Sequence, residues 1–425
     1  MATQVTPPRG MRDFLPAEKA GREHALGVIR RSFAAHGFDE IETPVMEDSA
    51  RLHSGLGGDN EKLGFAVLKR GLAPADALAA AESGDLLSLA DLGLRFDLTV
   101  PLARFYATHR AALPTVFRAI QIAPVWRAER PQKGRYRQFV QCDIDIIGEA
   151  GPLAEIELIT ATMAALDALG LTGCSVRIND RRILTALLAH WNVPTDLNER
   201  ALITIDKLDK IGVDGVVTEL EGLGIPTDGI ADTLRSIASA GWDLLGPGAE
   251  PESAAAPAWL DPAAYADLLA LRDALPGADL VFDPTLVRGM GYYTGTIFEI
   301  AHPELGYSLG GGGRYDGMIG RFLGVDVPAC GFSIGFERIV DLLGDAGASA
   351  ENAVVLIHEK DAAPGRLVAL KTALVAEGLR VRLEHRTKNL KALLGRAAEA
   401  GYGRYAFVTD ETADAATLDF RPLAG

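Results

Sequence analysis

The chain has 425 residues, enough for two or three domains with buried cores. Hydrophobic residues make up 48% and charged residues 23%, an ordinary composition for a folded globular protein. A formal net charge of −15 excludes a protein that coats polyanions through bulk charge, while leaving room for a local basic patch. Three cysteines, Cys142, Cys174 and Cys330, form no CxxC pair, and eight histidines are scattered without HExxH spacing. A disulfide framework and a protein-held metal are therefore not expected. No stretch reads as a secretory leader or a membrane span, so a cytoplasmic enzyme without a membrane partner is the expectation.

Residues 9–16, RGMRDFLP, read as irregular chain ahead of a helix. Helical periodicity follows over 17–36, with Leu26, Ile29 and Phe33 on one face and Gly37 as the stop. FDEIETPVME, 38–47, reads as a strand; Pro44 confines it to an edge or an end, because proline cannot donate to a ladder. Such an edge beside a long helix is a natural dimer surface. The stretch 51–84 is first glycine-rich and polar, then alanine-rich, and lacks the GK[ST] ending of a phosphate loop. It is expected to be a flexible cover over a site, with 55–64 as its moving part. In 86–102, Leu94, Phe96 and Leu98 alternate with Arg95, Asp97 and Thr99. That alternation predicts a strand whose polar face offers a carboxylate and a hydroxyl to an ammonium group.

The most informative stretch is 116–148, VFRAIQIAPVWRAERPQKGRYRQFVQCDIDIIG. Two β-like runs flank a cationic tip carrying Arg127, Arg130, Lys133, Arg135 and Arg137, which predicts a hairpin with a long loop. Alternation puts Phe139, Gln141, Asp143 and Asp145 on one face of the returning strand. Arginines at the base and tip suit a polyphosphate, whose oxygens a guanidinium grips with paired bonds. The acids and the amide suit a small polar ligand with donors.

A helix is predicted over 151–170 and a short strand over 176–179; 182–275 is mainly helical, with 246–257 as a Pro/Ala/Gly-rich exposed bridge. LVRGMGYYTGTIFEI, within 280–301, returns to β character. Arg288 there needs an anion, either Asp283 or Glu299 within the chain or a charge on a substrate. YSLGGGGRYDG, 307–317, reads as a glycine run permitting close backbone approach, and 330–340 as a strand entering a helix that carries Arg338. After a linker at 344–351, strands and helices alternate to the end, predicting a small α/β domain with parallel pairing. Arg386, Lys388 and Lys391 cluster at one of its βα turns, where open α/β sheets bind ligands.

These strings also carry a resemblance. ERPQKGRYRQF resembles motif 2 of class II aminoacyl-tRNA synthetases in its histidyl form, and LVRGMGYYTGTIFEI resembles the second histidine signature. RGMRDFLP resembles the opening of many members, 38–47 resembles motif 1, RFDLTVPLAR the histidine-binding strand, and 330–340 motif 3. Two departures are Gly291, where the family usually has Asp, and a tail ending at FRPLAG without the usual last helix. The resemblance implies an α+β fold: an antiparallel-sheet catalytic core in two parts, 1–181 and 276–343, a helical insertion at 182–275, and an anticodon-binding α/β domain at 350–425.

It also implies activation of histidine by ATP, with Mg2+, and transfer to the 3′ end of histidine tRNA by a homodimer. On that reading Asp97, Thr99 and Gln141 hold the amino acid's backbone, and Asp145 with Tyr292 or Tyr293 reads the imidazole. Arg127 and Arg288 press the carboxylate onto the α-phosphate as the catalytic pair. Glu129 and Phe139 take the adenine, and Arg135 and Arg338 the outer phosphates. Two alternatives share the fold: a histidine-sensing regulatory subunit of ATP phosphoribosyltransferase, and an acylating paralogue that has lost tRNA. The sensor generally lacks the C-terminal domain and the ATP-contacting arginines, whereas this chain keeps Arg127, Arg135, Arg288 and Arg338.

Overall fold

The computed structural model describes residues 5–53, 63–131, 134–239, 257–288, 291–343 and 352–423. They form two compact units, Met1–Arg12 with Val28–Ile339 and Asp13–Gly27 with Val340–Gly425. No described helix is long and apolar enough to cross a membrane.

The strands of the first unit, in chain order, are β1 (Asp39–Glu40), β2 (Met46–Asp48), β3 (Phe65–Leu68), β4 (Ala90–Leu94), β5 (Phe117–Trp126), β6 (Gln138–Ile147), β7 (Ser175–Asp180), β8 (Leu280–Phe282), β9 (Thr296–Ala301), β10 (Gly310–Arg314) and β11 (Ala329–Gly335). Eight of them build one sheet in the order β1-β5-β6-β11-β10-β9-β7-β8. All its pairs are antiparallel except β1 with β5 and β7 with β8 at the two margins. The expected α+β class with a largely antiparallel core is what the chain forms. The β5–β6 hairpin pairs from Phe117 with Ile147 to Trp126 with Gln138. Its even-numbered residues Cys142, Ile144 and Ile146 are fully buried, and the Leu153–Ala168 helix packs on β6 and β11.

Three expectations change. The 38–47 strand is two short strands in different sheets: β1 joins β5, while β2 joins β4 and β3 in a separate sheet. Pro44 lies in the irregular chain between them, where its missing N–H breaks no ladder. The flexible cover at 51–84 contains β3 and an α-helix, Pro74–Ser83, so its alanines serve helix propensity; 54–62 lies outside the described residues. The predicted 86–102 strand stops at Leu94, and Thr99 starts the Thr99–His109 helix. Pro101 fits that first turn, where an N–H has no partner to lose. The glycine run, expected to permit close backbone approach, does so as the inner strand β10, paired on both sides. A Cβ on Gly312 would sit 1.9 Å from the Gly331 carbonyl oxygen, so only a bare backbone fits between its neighbours.

The helices of 182–275 include Arg181–His190, Asn198–Ile205, Leu208–Gly222 and Pro262–Ala274, and they belong to the first unit. The bridge at 246–257, apart from Pro257, and the linker at 344–351 lie outside the described residues. In the second unit β12 (Ala353–His358) pairs in parallel with β13 (Arg380–His385) and β14 (Arg404–Val408), and β15 (Arg421–Pro422) adds an antiparallel edge. The Pro364–Ala376 helix packs on the Val354 and Leu356 face of β12 and the Leu390–Glu399 helix on the Val355 and Ile357 face. Arg386 and Lys388 are exposed at the turn after β13, and Lys391 is exposed in the first turn of the Leu390–Glu399 helix.

Candidate active site

A cavity of about 690 Å³ opens over the centre of the large sheet. Asp97, Thr99, Arg127, Glu129, Arg135, Phe139, Gln141, Asp145, Arg288, Tyr292, Tyr293 and Arg338 all line it, although they come from widely separated parts of the chain. Its two ends differ in charge.

One end is acidic and phenolic. β6 presents Gln141, Asp143 and Asp145 in a row, and all three are buried. Burial lifts Asp145 to about 7, against the pull of a hydrogen bond from the Tyr315 hydroxyl, with Asp97 adding to the rise. That bond is 2.5 Å long. Asp143 lies well above the usual carboxylate range, through burial first and the nearby Asp145 second. Asp97 is raised to about 6 by burial, opposed by the Val100 N–H and the Arg127 charge. Its Oδ1 accepts from Val100 N at 3.2 Å, the first turn of the helix, so Asp97 sits on a loop rather than a strand face. Among the described residues Asp97 Oδ2 and Gln141 Oε1 are buried acceptors without a hydrogen-bond partner. Tyr292 and Tyr293 pack at 4.9 Å between ring centroids.

The other end is cationic. Arg127 donates to the Phe96 carbonyl oxygen at 3.0 Å and lies 5.0 Å from the centre of the Phe139 ring. Arg135 pairs with Glu129 at 3.6 Å. Arg338 donates to the Ser308 carbonyl oxygen; burial lowers its pKa and the charge of Arg135 lowers it further. Arg288 takes the left-handed conformation at φ +59 and pairs with Glu299 at 3.1 Å. Of the internal partners considered, Glu299 is the one it meets, while Asp283 binds Arg177. A Cβ on Gly311 would fall 2.5 Å from the Arg288 guanidinium carbon, so the glycine strand makes room for that cation. Gly291 occupies an exposed turn before Tyr292.

Tyr315, Asp143 and Ser333 also line the cavity. Gln141 donates to Ser333 at 2.8 Å. Asp143 was visible on the face of β6 but had no role; Tyr315, just past the glycine run, carries no periodic or motif signal that singles it out. Gly331 stands opposite Asp145 across the ladder, and a Cβ there would come 1.9 Å from Asp145 Oδ1.

The family model for histidyl-tRNA synthetase matches residues 10–339. The chain belongs to the histidyl-tRNA synthetase family. It is 64% identical to the histidine–tRNA ligase of Leifsonia xyli over all of this chain and 99% of that protein. It is 41% identical to a probable histidine–tRNA ligase of Tropheryma whipplei, over 95% of this chain and 96% of that one. Among solved structures, histidyl-tRNA synthetase from Nostoc sp. PCC 7120 aligns with a TM-score of 0.74 at 27% identity, covering 99% of this chain and 95% of that one. A Bacillus halodurans protein described as an ATP phosphoribosyltransferase regulatory subunit/histidyl-tRNA synthetase shares the fold at 23% identity and a TM-score of 0.72, covering 96% of this chain and all of that one. The histidyl-tRNA synthetase fold therefore accounts for the sheet order around this cavity.

Proposed function

We propose that this histidyl-tRNA synthetase family member ligates histidine to its tRNA, and that the cavity aligns histidine and ATP for the first step. The observation carrying the reading is the polarity of the cavity. Its acidic end suits an ammonium and an imidazole, and its guanidinium end suits a carboxylate and phosphates. In that step a histidine carboxylate oxygen bonds to the α-phosphorus of ATP, and the bond to the bridging oxygen of pyrophosphate breaks. No protein nucleophile is needed; alignment and charge neutralisation lower the barrier.

Arg127 and Arg288 hold the carboxylate against the α-phosphate. Arg135 and Arg338 take the outer phosphates, Glu129 the adenine amino group, and Phe139 the ring. Asp97, Thr99 and Gln141 hold the backbone of histidine. Asp145 accepts from one imidazole nitrogen and Tyr292 or Tyr293 pairs with the other. In the second step the 3′-terminal hydroxyl of the tRNA attacks the activated carbonyl and AMP leaves. Magnesium enters as part of the substrate, on the ATP phosphates; among the described residues no group of three or more His, Cys, Asp or Glu side chains could hold an ion.

The exposed apolar residues Val45, Met46, Leu68 and Leu92 on and beside β2, β3 and β4 support a homodimer through that small sheet. Arg386, Lys388 and Lys391 support anticodon contact, and the cytoplasm is the proposed compartment. A sensor that binds histidine alone would have no use for Arg135 and Arg338 at the cavity. Purified protein with histidine, magnesium and ATP should exchange labelled pyrophosphate into ATP only when histidine is present, and then charge histidine tRNA. Histidine binding without exchange would refute the ligase reading.

A further inference from the structure

The leading string RGMRDFLP plays no part in the chemistry above. The structure seats its residues 10–12 on the loop that carries Arg127, Glu129 and Arg135. The Gly10 carbonyl oxygen accepts from Arg137 N at 2.8 Å. Gly10 has φ +82, and a Cβ there would come 3.0 Å from side-chain carbons of both Arg137 and Pro131. Arg137 in turn donates through Nε to the Glu129 carbonyl oxygen at 3.0 Å, so the returning half of the loop is tied to the outgoing half beneath Gly10. The Arg12 guanidinium lies 3.5 Å from the centre of the Tyr136 ring and forms an ion pair with Glu337. Glu337 is only 5% exposed; it accepts from Val140 N at 3.2 Å at the start of β6 and immediately precedes Arg338. Both Tyr136 and Glu337 line the cavity.

A buried carboxylate next to a polyphosphate site repels the ligand unless a cation neutralises it. Arg12 supplies that cation from outside the loop, and its stacking on Tyr136 fixes the loop at the same time. We propose that residues 10–12 clamp the ATP-binding loop, and that Arg12 is a positioning residue which neutralises Glu337 and holds Tyr136 so that ATP is bound in register. The proposal rests on the ATP reading of the cationic end.

Two measurements test it. In pyrophosphate exchange, Arg12→Gln should raise KM for ATP about tenfold, the discount from a fully buried pair reflecting the partial exposure of Arg12. KM for histidine should stay within about twofold, because the acidic end lies away from the clamp. Arg12→Gln combined with Glu337→Gln should recover most of the ATP affinity, since the amide still accepts from Val140 and carries no charge. An unchanged KM for ATP, an equal rise for both substrates, or no recovery in the double variant would overturn the clamp. A wild-type protein without exchange would refute the ATP reading instead. For that case the second measurement is independent of activity: trypsin cleavage within 127–137, located by mass spectrometry, should accelerate in Arg12→Gln and Gly10→Ala at an unchanged unfolding midpoint. Equal cleavage rates would overturn the clamp whatever the activity.

Discussion

Tyr315→Phe isolates the bond that holds Asp145. In the native cavity burial lifts the Asp145 carboxyl to about 7, and the Tyr315 hydroxyl restrains that lift by bonding to the charged form at 2.5 Å. Deleting the hydroxyl removes a hydrogen bond to a charged acceptor, worth about 1.5–3 kcal/mol. One pKa unit corresponds to about 1.4 kcal/mol, so the carboxyl should rise by about one to two units. The sign follows from the role of the group. On the proposed reading the ionised carboxylate accepts the imidazole N–H, so kcat/KM for histidine should fall as pH drops through the Asp145 pKa. In the wild type that inflection should lie near pH 7. In Tyr315→Phe it moves to alkaline pH, and at neutral pH kcat/KM for histidine drops about tenfold. Free histidine titrates identically for both proteins, so the ratio of the two profiles isolates the enzyme group. Pyrophosphate exchange at saturating ATP between pH 6 and pH 9 reads the effect. An inflection that stays in place, or moves to acid pH, would refute the idea that Tyr315 stabilises the charged form.

Gly331→Ala tests the same carboxylate from the facing strand: its Cβ would arrive 1.9 Å from Asp145 Oδ1, so the oxygen must retreat by more than about 1 Å to reach ordinary contact. Losing the aligned acceptor should cost about 2–3 kcal/mol, roughly 30- to 160-fold in kcat/KM for histidine, with KM for ATP little changed; a folded variant, checked by thermal unfolding, that keeps its histidine KM would contradict the assignment. Histidine should also stabilise the protein more at pH 8 than at pH 5.5. Asp97 and Asp145 are raised to about 6 and about 7, so the folded state holds protons that the unfolded chain has lost. Stability of the free protein therefore falls as pH rises from about 4 to about 7, and a bound cation restores it once the acids ionise. Thermal shifts of equal size at the two pH values would speak against these acids binding the amino acid.

The β5–β6 hairpin was legible because its evidence is local: two apolar runs, a cationic tip, and alternation that puts Gln141, Asp143 and Asp145 on one face. The strand expected through Asp97 and Thr99 was misread for a local reason too. Alternation from Leu94 to Thr99 imitates a strand, yet an acid two positions ahead of Thr-Val-Pro is also a helix start, and the structure uses it that way. β10 was out of reach. Four glycines have little strand propensity of their own, and only pairing with β9 and β11 makes them one. The bond from Tyr315 to Asp145 spans 170 positions and leaves no periodic trace. That the twelve expected residues meet in one cavity followed from family resemblance, because no spacing in the chain relates Asp97 or Arg127 to Arg288.

On the proposed reading, one sheet can select an amino acid without enclosing it in a tight apolar pocket. The acids lie on β6 and at the start of the Thr99–His109 helix, and the guanidiniums come from the hairpin loop, the left-handed residue Arg288 and the helix after β11. A zwitterion entering such a field has one favourable orientation, with its ammonium toward Asp97 and its carboxylate toward Arg127 and Arg288. The side chain then points at Asp145, which cannot move aside easily: Gly331 leaves just enough space for it and Tyr315 fixes one oxygen. A side chain without an N–H at that point would leave a buried acid unpaired, and the cost falls on the wrong substrate. On the proposed reading, selectivity would then come from the fixed position of one carboxylate, set by a glycine and a phenol on neighbouring elements of the sheet.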